Sequence, residues 1–287
     1  MSLTDEPVVE PTEVEWLREG LVRVPLATDT LPPATRTNTY LVRGERSWWI
    51  VDPGAWRAPE LMRLDRAIRT FCDGAVAGAI LTHHHGDHVG GLSWWVGAYG
   101  ADVWAHTETV ARVTPPAGAH VSWREVHGDG EVDGLRMLHT PGHAPGHLVV
   151  VDRAGDVLAG DLVAGMGTIL VAPDDGDMAA YMASLARVAD ETAGAIFPAH
   201  GPHHPSARSR CMAYHAHRVE REARVLVAVS ATDWRDVERV SAIAYAGVPL
   251  VLQALAVDSV KAHLKKLADD GAVEIDGRWR ARRLGGV

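Results

Sequence analysis

Thr82-His83-His84-His85-Gly86-Asp87-His88 is the stretch that decides how this chain is read. The residues before it, 75–81, are a small apolar run that predicts a buried strand, so the histidines are delivered at a strand end. Imidazole nitrogen and carboxylate oxygen both suit zinc and related first-row divalent ions. His83 and His85 stand two apart; on an extended backbone both side chains leave on the same side and can grip one ion. Gly86 permits a tight turn, after which Asp87 and His88 can point to a second ion close by. His84 falls between the two ligands and is expected to face away. A histidine-rich surface loop would explain the histidines but not the strand followed by Asp-His.

Working outward, three later segments offer further ligands. In Thr140-Pro141-Gly142-His143-Ala144-Pro145-Gly146-His147 a Pro-Gly turn holds His143 on a rigid loop, while His147 reads as a supporting or packing residue. Asp161, in Ala159-Gly160-Asp161, follows an apolar strand, and a carboxylate there could bridge two cations. His200, in Pro198-Ala199-His200-Gly201, follows the short strand expected at 195–197. Singly these are a loop histidine, an Asx-turn aspartate and a capping histidine. Together, each ends a strand-like run.

The rest of the chain predicts an α/β layered domain. Strand-like runs lie at 21–25, 39–42, 48–51, 102–105 and 135–139, with a hairpin over 148–151 and 156–159. Helical spacing marks 59–71, 90–99 and 178–190; 128–134 is turn-rich, and Asp52-Pro53-Gly54 is a turn signal. The pattern changes after Pro205: a long helix over 206–230, helical pieces at 234–245, 249–253 and 259–268, then a hairpin around Asp276-Gly277. Helices followed by a terminal hairpin resemble a winged helix. The division expected is therefore 1–207 for the main domain and 208–287 for the appendage.

Composition sets outer bounds. With 287 residues, 47% hydrophobic and 23% charged, the chain can fill one large core plus a small appendage. Its net charge of -9 argues against a nonspecific nucleic-acid coat. Cys72 and Cys211 lie far apart without metal-type spacing and read as reduced core residues. Residues 1–15 lack a basic start followed by an apolar run, and no stretch has the roughly 18 apolar residues of a membrane span, so a soluble cytoplasmic protein is expected.

The ligand series resembles the metallo-β-lactamase superfamily, whose pattern is His-x-His-x-Asp-His, then a lone His, an Asp and a His. Here these are His83, His85, Asp87 and His88, then His143, Asp161 and His200, and the resemblance covers roughly residues 20–205. It implies an αββα sandwich with metals at one edge of the sheets. It further implies one site from His83, His85 and His143, a second from Asp87, His88 and His200, and Asp161 between them. Two cations sharing a water lower its pKa from ~15.7 towards ~7, giving hydroxide at neutral pH. Asp87 is expected to orient that nucleophile or pass a proton to the leaving group, beyond its ligand role. Zinc is the default ion, with manganese and iron compatible with the same donors.

An aspartate at 161 is similar to the thioesterase, lactonase, phosphodiesterase and nuclease branches rather than to true β-lactamases. The segments Thr37-Asn38-Thr39-Tyr40-Leu41-Val42 and His217-Arg218-Val219-Glu220-Arg221-Glu222 resemble lactamase-beta-like proteins with an appended winged helix. That branch implies a small-molecule thioester or other activated acyl substrate, or alternatively single-stranded RNA cleaved by an endoribonuclease. A metal-binding DNA regulator is the non-enzymatic alternative. The cationic set Lys261, Lys265, Lys266, Arg278, Arg280, Arg282 and Arg283 bears on this choice, though neighbouring acids dilute it. Trp56, Trp94 and Trp95 read either as core or as walls near the metal. Substrate-binding residues are not readable from the sequence.

Overall fold

Alternation along the strands sorts the apolar residues into layers. The chain is described by a computed structural model covering residues 9–115, 120–249 and 252–284. A seven-stranded sheet runs in chain order through β1 (Glu15–Arg18), β2 (Leu21–Ala27), β3 (Arg36–Arg43), β4 (Trp48–Val51), β5 (Gly78–Ile80), β6 (Asp102–His106) and β7 (Trp123–Val126). It is antiparallel up to β4 and parallel from β4 to β7. The second sheet contains β8 (Gly130–Val132), β9 (Leu135–His139), β10 (Leu148–Val151), β11 (Val157–Gly160) and β12 (Ile196–Pro198), in spatial order β12-β11-β10-β9-β8.

Tyr40 and Val42 of β3 meet Leu148 and Val150 of β10 between the sheets. Leu41, pointing the other way, joins Leu64 and Ile68 of α1 (Ala58–Phe71) under the first sheet. Two short helices, α2 (Gly86–Val89) and α4 (Thr107–Arg112), flank α3 (Leu92–Tyr99), whose Trp95 belongs to that same layer. On the far side Val149 and Val151 pack on Tyr181 and Leu185 of α5 (Met178–Glu191) and on Cys211 and Tyr214 of α6 (Ala207–Ala228). The layers are thus helix, sheet, sheet, helix, the αββα sandwich expected.

Several details differ from expectation. The helix expected over 90–99 begins at Leu92, and a separate short helix, α2, precedes it; between the two a Cβ on Gly91 would stand 2.4 Å from Pro53 O and 2.6 Å from Ala55 O. The close passage of the two backbones leaves no room for a side chain there. β1, β7 and α4 were not expected, and β8 occupies part of the turn-rich stretch.

Beyond the sandwich, Val225 and Ala228 at the end of α6 enter a separate core. They meet α7 (Val237–Ala244), α8 (Gln253–Asp269) and a small sheet of β13 (Arg235–Asp236), β14 (Val273–Ile275) and β15 (Arg280–Arg283), ordered β13-β15-β14. The Asp276-Gly277 hairpin is present, pairing Val273 with Arg283 and Ile275 with Ala281. β13 takes the start of the helix expected at 234–245, and α8 begins earlier than expected. The piece expected at 249–253, like the start of the N-terminal stretch, falls partly outside the described residues. Among the described residues no helix is long and apolar enough to cross a membrane. Cys72 and Cys211 are buried and unpaired.

Candidate metal centre

Four strand ends converge at one edge of the sandwich. β5 leads into His83, β9 into the loop bearing His143, β11 into Asp161 and β12 into His200. Gly160 makes the approach to Asp161 possible: its φ is +49°, and a Cβ there would stand 2.7 Å from Thr82 Oγ1. Every predicted site residue is brought into one cluster. Nε2 of His83, Nδ1 of His85 and Nε2 of His143 lie 2.9, 3.0 and 3.2 Å apart pairwise. Asp87, His88 and His200 form a second group, with His200 Nε2 at 3.4 Å and His88 Nε2 at 3.7 Å from Asp87 Oδ2. Asp161 stands between them. Its Oδ2 is 3.5 Å from His143 Nε2, and its Oδ1 is 3.2 Å from His200 Nε2 and 3.6 Å from His88 Nε2.

The outward nitrogens of these five histidines are all engaged by acceptors. Thr82 Oγ1 donates to Asp52 Oδ2 at 2.7 Å, so it accepts from His83 Nδ1 at 3.0 Å. His88 Nδ1 donates to Asp52 Oδ2 at 2.8 Å, and His85 Nε2 to Asp175 Oδ2 at 2.9 Å. His143 Nδ1 donates to Leu170 O at 2.8 Å, and His200 Nδ1 to Arg36 O at 3.0 Å. A neutral imidazole has one proton, so each inward nitrogen presents a lone pair. Lone pairs crowded together in a buried site call for a cation among them. Two atoms make the demand explicit: His88 Nε2 and Asp161 Oδ1 are shielded from solvent with no hydrogen-bond partner among the described residues. The donor set therefore fits divalent ions.

The electrostatics agree. Burial holds the His83 imidazole well below its ordinary pKa and pushes His143 down to about 4, so both favour the neutral, ligating form. Burial alone would raise Asp161, but the imidazoles of His200 and His88 hold it well below the usual carboxylate range. At His88 burial also opposes charge, yet Asp87, Asp52 and Asp161 outweigh it and raise the group to about 10. Three carboxylates thus favour positive charge at this spot.

Some site residues were not read from the sequence as such. Asp52 was taken only as part of a turn, yet it receives the amide and hydroxyl of Thr82, each at 2.7 Å, as well as His88. Its signal was the one used for Asp161: an aspartate ending an apolar strand. Thr37 Oγ1 donates to Asp87 Oδ2 at 3.2 Å, and Asp175 braces His85. His147 supports rather than joins the cluster, accepting from Asp161 N at 3.1 Å. His84 stays outside both groups, with Nε2 3.4 Å from Asp175 Oδ2. Gly86 is not the turn-maker expected; it opens α2, and a Cβ there would meet nothing within 4 Å. Trp95 is core, stacked on Tyr99 at 4.8 Å, whereas Trp56 is exposed.

A histidine–aspartate cluster of this kind at the edge of an αββα sandwich defines a metal-dependent hydrolase. The chain belongs to the metallo-beta-lactamase superfamily, whose sequence profile matches residues 32–200. It is similar to "Beta-lactamase-like protein 2 homolog" of Caenorhabditis elegans, 27% identical over 93% of this chain and 89% of that protein. It is also similar to "Atrochrysone carboxyl ACP thioesterase" of Passalora fulva, 27% identical over 86% of this chain and 75% of that one. A metallo-beta-lactamase family protein from Thermus thermophilus shares the fold with a TM-score of 0.75 at 24% identity, covering 94% of this chain and all of that one.

Proposed function

We propose that the chain is a dinuclear hydrolase acting on a thioester or another activated acyl compound of small-molecule size, with zinc as the ion of first choice. The observation that carries the two-ion reading is Asp161, which offers one oxygen to His143 and the other to His88 and His200. On this reading His83, His85 and His143 would hold one ion and Asp87, His88 and His200 the other, with the Asp161 carboxylate placed between them. Bound there, the ions would supply Lewis acidity and would lower the pKa of a water from ~15.7 towards ~7.

The protein's own part is orientation and proton handling. Asp87 accepts a hydrogen bond from Thr37, which leaves its other oxygen free to align the attacking water or pass a proton to the leaving group. Thr82 and Asp52 engage Nδ1 of His83 and of His88, which leaves Nε2 of each ring as the nitrogen turned to an ion.

The acyl reading draws on the thioesterase named among the relatives. The appendage from residue 208 onward, read as winged-helix-like, shares α6 with the sandwich and serves this reading as a wall and brace. Four of the seven cations on α8 and the terminal hairpin are matched: Lys261 pairs with Asp258, Lys266 with Glu222 and Asp270, Arg280 with Asp276, and Arg282 with Glu274. Cations so paired are poorly placed to neutralise a phosphate backbone. The test is a panel of acyl-thioesters, lactones, a phosphodiester reporter and single-stranded RNA, run on metal-stripped and reloaded protein with elemental analysis. Thioester turnover that vanishes on stripping and returns with two equivalents of metal is expected. Full activity without metal would sink the mechanism, and RNA cleavage alone would sink the substrate class.

A further inference from the structure

Arg210, Tyr214, Arg218 and Glu222 recur every fourth residue along α6 and share one face of it. The first three reach the segment 162–170, which starts beside Asp161 and ends at the carbonyl that holds His143. Arg210 Nε donates to Ala164 O at 3.1 Å. The Tyr214 hydroxyl accepts from Ala164 N at 2.9 Å and faces the carbonyls of Ala164 and Gly167, each 3.2 Å away. Arg218 donates to Thr168 Oγ1 at 3.0 Å and to Ile169 O. From α5, Tyr181 donates to Leu162 O at 2.7 Å, and the Arg218 guanidinium sits 5.3 Å from that tyrosine's ring centre. The residue after Ile169 is Leu170, whose carbonyl receives His143 Nδ1.

Arg218 is 1% exposed, and its Nε finds no partner among the described residues. Burying a guanidinium against a hydroxyl, a carbonyl and a ring is costly, and an apolar side chain would fill the same space more cheaply. A charge kept there is better explained by what it aligns. Glu222, the next residue on this face, turns to the appendage. It accepts from Lys266 of α8 at 2.9 Å, with its other oxygen 3.6 Å from His263 Nδ1.

We propose that this face of α6, centred on Arg218, is a positioning device for the metal centre: it sets the segment between Asp161 and the His143 acceptor and ties it to the C-terminal helices. The inference rests on the two-ion reading above. The test compares wild type with Arg218→Met, Arg218→Lys and Thr168→Val. Chelator competition gives the affinities for the first and second equivalents of Zn2+, the visible spectrum of Co2+-loaded protein reports ligand geometry, and unfolding of the metal-free forms reports stability.

Arg218→Met, which leaves the Leu170 carbonyl in place but frees the segment that carries it, is expected to bind metal about 3- to 10-fold more weakly, less than the loss of a direct partner of a ligating histidine would cost, and to shift the Co2+ bands. Arg218→Lys keeps a donor for Ile169 O and should recover part of the loss. Thr168→Val removes one acceptor at an exposed position and should lose less. Wild-type affinity and spectrum in Arg218→Met, whatever its stability, would overturn the proposal. Should that variant fail to fold, wild-type values in both other variants would do the same. A wild-type protein that takes up a single equivalent would instead strike the two-ion reading, and Arg218 would still be judged on that ion.

Discussion

The metal centre is held by two different kinds of support. Around His83 and His88 the outer partners are side chains, Thr82 and Asp52, with Asp52 collecting three hydrogen bonds while 2% exposed. Around His143 and His200 the outer partners are main-chain carbonyls, Leu170 O and Arg36 O. The first support depends on residue identity, because only an acceptor of that shape can take all three donors. The second depends on loop shape, because every residue has a carbonyl. Substitution should therefore be severe on the Asp52 side and mild on the carbonyl side.

Asp161 belongs to neither support and faces both groups, so its loss erases the contrast. Asp161→Ala should lower activity by about 10³-fold or more, since it removes the carboxylate between the two ligand groups, where the proposed two-ion reading puts its shared charge. The retained metal should fall in the same preparation. Steady-state turnover beside elemental analysis measures both. A variant that kept two ions and near-normal turnover would mean that the groups flanking Asp161 are independent sites.

The contrast itself is sharpened by Asp52→Asn. The replacement keeps size and one acceptor but turns an amide NH2 either towards the Thr82 N–H or towards the Thr82 hydroxyl and the Nδ1–H of His88, so the three donors can no longer all be satisfied. Metal affinity should drop about 10- to 100-fold, as is usual when an outer partner of a ligating histidine is lost. Chelator competition reads this directly. Unchanged affinity would show that one neutral acceptor at this position supports the centre as well as the carboxylate does.

The same division explains what could be read from the sequence. His83 to His88 was legible because ligands two apart on a strand end share a side, and that spacing is local. His143, Asp161 and His200 were legible by a repeated sign, a polar ligand type at the end of an apolar run. Asp52 carried that sign too, but Asp-Pro-Gly is ordinary turn chemistry, and the turn absorbed it. Leu170 O and Arg36 O carried none, since a carbonyl is invisible to residue type. The layers were legible where alternation is strong, as in β10, whose four residues are all buried. β8 and β13 were not, being short, with no fully buried residue in either. Edge elements this small draw their stability from neighbours rather than from their own pattern.

The mild side of the contrast is tested by Leu170→Ala. The side chain is half-buried, and the carbonyl that receives His143 Nδ1 survives the change. If the acceptor is a matter of loop shape, and that shape is set by the contacts of 162–169 with α6, then trimming the side chain should alter metal affinity by no more than about twofold, the scale of 0.5 kcal/mol. Metal affinity is the right readout, because turnover would also register any contact between this side chain and substrate. A tenfold loss would mean that the Leu170 side chain, not the hydrogen bonds of its neighbours, holds the carbonyl in place. It would also move the carbonyl side of the centre into the same residue-dependent class as Asp52.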